Sequence, residues 1–200
     1  GEPGSGRQAL AEAAHAAGSR RAEPFMLSSG VGSSPTYQEL EVLGYLRHTF
    51  INSIQNEPGV LERAEDGTAL IRLGDDAAPG LLQTLAEAIA NGWLRRVGCT
   101  VERPARARLI LAVETATPDL VAFVRVTEAA VFRVPPLRER LEDLPLLIPA
   151  LTPGLTRVGA RRLERLAAHT WPGNLPELQS VLARIATRAS TADPALGAGP

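Results

Sequence analysis

The chain contains no lysine: all 21 of its basic residues are arginine, set against 22 acidic ones in 200 residues. That absence excludes a lysine nucleophile, a Schiff base and the phosphate-cradling lysine of a standard phosphate loop. Charge of one sign is also lacking. A net charge of −1 with both signs mixed along the chain gives no broad footprint for DNA, RNA or an anionic membrane, so no direct nucleic-acid contact is expected. Aromatics make up only 4%, which leaves Leu, Val, Ile and Ala to fill the core. One cysteine, Cys99, excludes an internal disulfide framework, and His15, His48 and His169 show no metal-ligand spacing with it. No apolar run approaches the roughly 18 residues of a spanning helix, and the chain opens on Gly-Glu-Pro-Gly and not on a charged-then-apolar leader. The expectation is a soluble, cytoplasmic chain without membrane contact.

What is present is patterned. Residues 1–6, GEPGSG, form a glycine-rich turn ahead of an alanine-rich helix that ends at Gly18. The stretch 27–36 reads as a loop, 38–46 as a short helix, and 47–60 shows no clear period. GTALIRL (67–73), RLILAV (108–113) and VFRV (131–134) are strand candidates, short and rich in branched apolar residues as buried parallel strands are. A helix over 81–91 stops at Gly92. After Pro135-Pro136 the pattern is wholly helical. Thr156 is a candidate N-cap, and Asn174 has Glu177 three residues on, the spacing of a capping box, with Pro176 in the first turn. Strands alternating with helices argue an α/β layer structure followed by a small helical subdomain. The tail, 190–200, reads as a linker.

Gly1-Glu2-Pro3-Gly4-Ser5-Gly6-Arg7-Gln8 has the spacing of a phosphate-binding loop, in which glycines let backbone N–H groups wrap an anion. Alone it is equally a glycine turn before a helix. In one order along the chain, however, follow Pro24-Phe25, DGTALI (66–71), LRRVG (94–98), RLILA (108–112), PPLRER (135–140), EDLPLL (142–147) and WPGNLPEL (171–178). Together these resemble the central AAA+ ATPase domain of sigma-54-dependent transcriptional activators, over roughly residues 1–188. The resemblance implies a P-loop AAA+ α/β core of three layers with a parallel sheet (1–140), then a helical lid (141–189). It also implies a ring of AAA+ subunits that remodels sigma-54 RNA polymerase at the expense of ATP.

Set against the family's motifs, the working positions depart one after another. The phosphate-loop lysine is Arg7 and the next glutamate is Gln8; Arg7 either meets phosphate with an ill-shaped fork or points to solvent. The two carboxylates that organise Mg²⁺ and the attacking water fall on Arg72 and Leu73, which can do neither task. Asp75 and Asp76 lie just beyond, as turn residues or, after a local slip, as substitutes. The polar sensor falls on Glu114, where a carboxylate repels a γ-phosphate. The arginines that reach a neighbouring subunit fall on Leu120 and Val126, with Arg125 adjacent, and the lid arginine falls on Pro176. Phe50 stands where the remodelling loop carries its aromatic, either as a sigma-54 contact or packed on its own domain. A phosphate loop normally follows a buried strand, so the first strand is expected to be missing and a sheet edge exposed.

The expectation is a sigma-54-interaction-type AAA+ module without hydrolysis, with weak ATP or ADP binding at most and no Mg²⁺ site. The alternatives are an active ATPase using Arg7 with Asp75 or Asp76, and a decayed domain with no activity.

Overall fold

The computed structural model describes residues 1–28, 34–51, 53–74, 77–78, 80–153 and 159–192. They fall into two compact units: Arg7–Phe132, and Gly1–Gly6 together with the chain from Arg133 onward.

In the first unit three strands, β1 (Phe25–Ser28), β4 (Thr68–Leu73) and β7 (Arg108–Val113), form a parallel sheet in the order β1-β4-β7. Two short antiparallel pairs accompany it: β2 (Gly44–Tyr45) with β3 (Glu57–Pro58), and β5 (Trp93–Leu94) with β6 (Arg103–Pro104). The period-2 alternation of the strands sorts side chains between two layers of helix. Ala69, Ile71 and Leu73 of β4 enter a core with Val42, Val60, Leu81, Leu85 and Phe123. Those five come from α2 (Pro35–Leu43), α3 (Val60–Arg63), α4 (Leu81–Asn91) and α5 (Pro118–Thr127). Leu70 and Ala112 turn the other way and meet Ala11 of α1 (Arg7–Ala17). On that face His15 Nδ1 also lies 2.9 Å from Thr68 Oγ1, which gives one of the three histidines a structural role. Gly67, just ahead of β4, cannot be replaced without backbone movement, because a Cβ there would lie 1.9 Å from the Pro24 carbonyl oxygen. The α/β class and the parallel sheet between helices are as expected.

VFRV is a correction. Residues 131–134 form no strand, and Val131 and Phe132 are 73% and 79% exposed. A strand exists only by pairing, and among the described residues β7 pairs with β4 alone. The reading of 27–36 as loop also missed β1, whose four residues pair with Thr68–Ile71.

The second unit packs α6 (Leu144–Leu151), α7 (Ala160–Ala167) and α8 (Asn174–Ala192) around Leu137, Leu144, Ile148, Leu166, Trp171, Leu178 and Leu182. Trp171 is 1% exposed, and its indole N–H donates to the Leu166 carbonyl at 2.8 Å. The candidate cap Thr156 lies outside the described residues. The capping box is a second correction: Glu177 Oε2 accepts from the Gly173 N–H at 2.8 Å, and the Asn174 side chain is engaged elsewhere. Residues 1–6 group with this second unit, where their hydrogen-bond partners lie.

Candidate functional site

Those partners come from the two motifs most specific in the sequence. Asn174, fully buried, accepts the Leu137 N–H through Oδ1 at 2.8 Å. Its Nδ2 donates to the Pro3 carbonyl at 3.0 Å and to Glu2 Oε2 at 3.3 Å. Arg138 makes a bidentate pair with Glu2, Nη1 to Oε2 at 2.8 Å, and Arg140 donates to the Ser5 carbonyl. The Arg138 guanidinium, with help from Asn174, holds the Glu2 carboxyl down at about 2. Thus PPLRER and WPGN grip the glycine loop. Gly4, at φ +72°, lies so close to Pro176 that a Cβ would stand 2.9 Å from the proline Cδ. Pro176, expected at the lid-arginine position, therefore packs on the loop. Ser5 is wholly buried, and its Oγ has no partner among the described residues. A loop with two glycines at positive φ, Gly4 and Gly6, and an orphaned hydroxyl is suited to an anion's oxygens.

In the other unit, Arg7 opens α1 and Glu114 directly follows β7. Arg7 Nη2 donates to Glu114 Oε1 at 3.0 Å, with the side chains 17% and 29% exposed. Arg7 therefore does not point to solvent, and Glu114 is not an isolated repulsive carboxylate: two departures from the motif meet as one ion pair. Gln8 turns along the helix surface, donating to Glu12 at 2.8 Å. At the end of β4, Arg72 reaches the Ser28 carbonyl at 3.4 Å and Leu73 is buried in the core, so neither supplies an oxygen ligand. Asp75 and Asp76 lie outside the described residues. Leu120 and Val126 sit on α5, a regular helix in which Arg125 is turned about 100° from Val126.

Between β2 and β3, His48 N–H donates to the Ser53 carbonyl at 2.7 Å, and Phe50 N–H donates to Ser53 Oγ at 3.1 Å. Phe50 packs edge-on against Tyr45, centroids 5.0 Å apart, and stays partly exposed. Ile51 and Ile54 stand almost wholly in solvent. Sequence reasoning missed these two isoleucines, and it missed the grip of Asn174, Arg138 and Arg140 on the loop. The only available signal for the grip was that charged and amide residues persist inside motifs otherwise concerned with packing.

A nucleotide-type loop, a parallel sheet between helix layers and a helical C-terminal unit define a P-loop AAA+ core. The family model of the sigma-54 interaction domain matches residues 1–138, and the chain belongs to that family. It is 34% identical over 202 residues to the transcriptional regulator NtrC of a Bradyrhizobium strain, covering 93% of this chain and 42% of that protein. It is 30% identical over 202 residues to the regulatory protein XylR of Pseudomonas putida, covering 92% and 35%. The chain thus spans well under half the length of these relatives. Crystal structures of NtrX from Brucella abortus share the fold: one at TM-score 0.76 and 26% identity, covering 92% of this chain and 45% of that one. Another, in complex with ATP, matches at 0.73 and 24% identity, covering 94% and 46%. Among the described residues no helix is long and apolar enough to cross a membrane.

Proposed function

We propose that this chain is the sigma-54-interaction module of a cytoplasmic bacterial transcription regulator, engaging sigma-54 RNA polymerase and other AAA+ subunits without hydrolysing ATP. The observation that carries this reading is the Arg7–Glu114 pair: the cation at the lysine position is already neutralised by the carboxylate at the sensor position. A guanidinium so engaged has less to offer a phosphate chain. Arg72 and Leu73 add no ligand for Mg²⁺, so the metal that would polarise a γ-phosphate has no first-choice oxygens on β4. Weak ATP or ADP binding is retained in this reading, through the backbone N–H groups of Gly4 and Gly6 and the Ser5 hydroxyl. Contact with the polymerase is assigned to Phe50 and the protruding Ile51 and Ile54.

Single-turnover hydrolysis of radiolabelled ATP by the purified protein tests the reading. No release of phosphate above the rate without protein is expected. Turnover that disappears when Asp75 and Asp76 are both changed to Asn would overturn it in favour of an active ATPase. Failure both to bind nucleotide and to retain sigma-54 polymerase in a pull-down would favour a domain without activity.

A further inference from the structure

The ion pair that silences Arg7 has a second consequence at the end of α1. The first turn of a helix presents unpaired N–H groups and a partial positive charge, which draw an anion. The first turn of α1 carries no acidic residue of its own. The negative charge comes instead from Glu114, at the carboxyl end of β7, the end of a parallel sheet where α/β proteins receive ligands. A second nitrogen of the same guanidinium, Nη1, is buried with no partner among the described residues, so Arg7 is held in place by the single carboxylate contact and retains capacity for another oxygen.

We propose that Glu114 is a built-in anion: its carboxylate takes the position at Arg7 that a polyphosphate oxygen would otherwise take. The α/β unit is thereby kept in an anion-satisfied state without ligand, and phosphates bind there only in competition with that carboxylate. This inference rests on the reading of the site as nucleotide-facing, and it adds how nucleotide binding is kept weak. The pair is a latch between α1 and β7, and neutralising its carboxylate frees the cation for an external anion.

The test compares the purified protein with Glu114→Gln, Arg7→Gln and the double variant, by thermal melting without ligand and by calorimetric titration with metal-free ATP and with tripolyphosphate. Each single variant is expected to melt below the parent, and the double variant no lower than the less stable single, since either change breaks the same contact. Glu114→Gln is expected to bind both polyphosphates about tenfold or more tighter than the parent, and the double variant to lose that gain. A gain for ATP but not for tripolyphosphate would mean that the nucleoside and not the phosphate chain is being admitted, which overturns the proposal. So would additive losses in melting temperature, or equal affinities in parent and Glu114→Gln. If Glu114→Gln does not fold, Glu114→Asp serves, because the shorter carboxylate keeps its charge but withdraws from Arg7, and a smaller gain in the same direction is expected. ATP turnover by the parent would refute the hydrolysis-deficient reading alone, and the melting comparison would still decide the latch.

Discussion

Replacing Asn174 by alanine removes, in one step, the side chain that joins PPLRER to the glycine loop. Three losses add. The Leu137 N–H, buried and now without an acceptor, costs about 1–3 kcal/mol. The donation to the Pro3 carbonyl contributes about 1 kcal/mol, and the longer one to half-exposed Glu2 less. Asn174 also sits at φ +51°, a left-handed conformation that asparagine tolerates and alanine resists by about 1 kcal/mol. Asn174→Ala should therefore destabilise the C-terminal unit by about 3–5 kcal/mol, a large share of a typical domain's 5–15. Asn174→Gly loses the same hydrogen bonds but not the backbone term, so it should be about 1 kcal/mol less damaging despite being the smaller residue. Urea unfolding followed by the fluorescence of Trp171, buried in the same unit, measures both. An alanine variant within about 0.5 kcal/mol of the parent, or a glycine variant worse than alanine, would refute the account.

The Glu2 carboxyl is held at about 2 against an ordinary 4.5, so its pairing with Arg138 stabilises the fold above the ordinary value and is lost as pH falls through 4.5 toward 2. Melting temperatures of the parent and Glu2→Gln should therefore differ at neutral pH and converge in acid; a constant difference would contradict the linkage. In the α/β unit, Arg96 makes a bidentate pair with Glu62 at 2.8 and 2.7 Å, and its hydrogen bonds hold the Glu62 carboxyl below its ordinary value. Glu62→Gln should cost about 1.5–3 kcal/mol, and the double change with Arg96→Gln less than the two singles together, in a urea-denaturation cycle read by circular dichroism.

The strands at 67–73 and 108–113 and the helix at 81–91 were legible because their apolar periods are unbroken and their ends carry Gly or Pro. β1 was not, since four residues carry too little pattern to outweigh the polar stretch behind them. VFRV failed for the opposite reason: its composition suits a strand, but composition does not supply a neighbour to bond with. Asn174 was misread because a capping box and an asparagine that bonds away from its own helix have the same spacing.

The absence of lysine and the family itself could be read from residue order alone, since motif spacing is a property of the chain. That Arg7 is paired with a carboxylate and does not face solvent could not. Arg7 and Glu114 are 107 residues apart, and only the folding of α1 against β7 brings their opposite charges to 3.0 Å. Likewise Asn174 and Glu2 stand 172 residues apart. Pairing between distant polar groups depends on burial and mutual position, which no local pattern encodes.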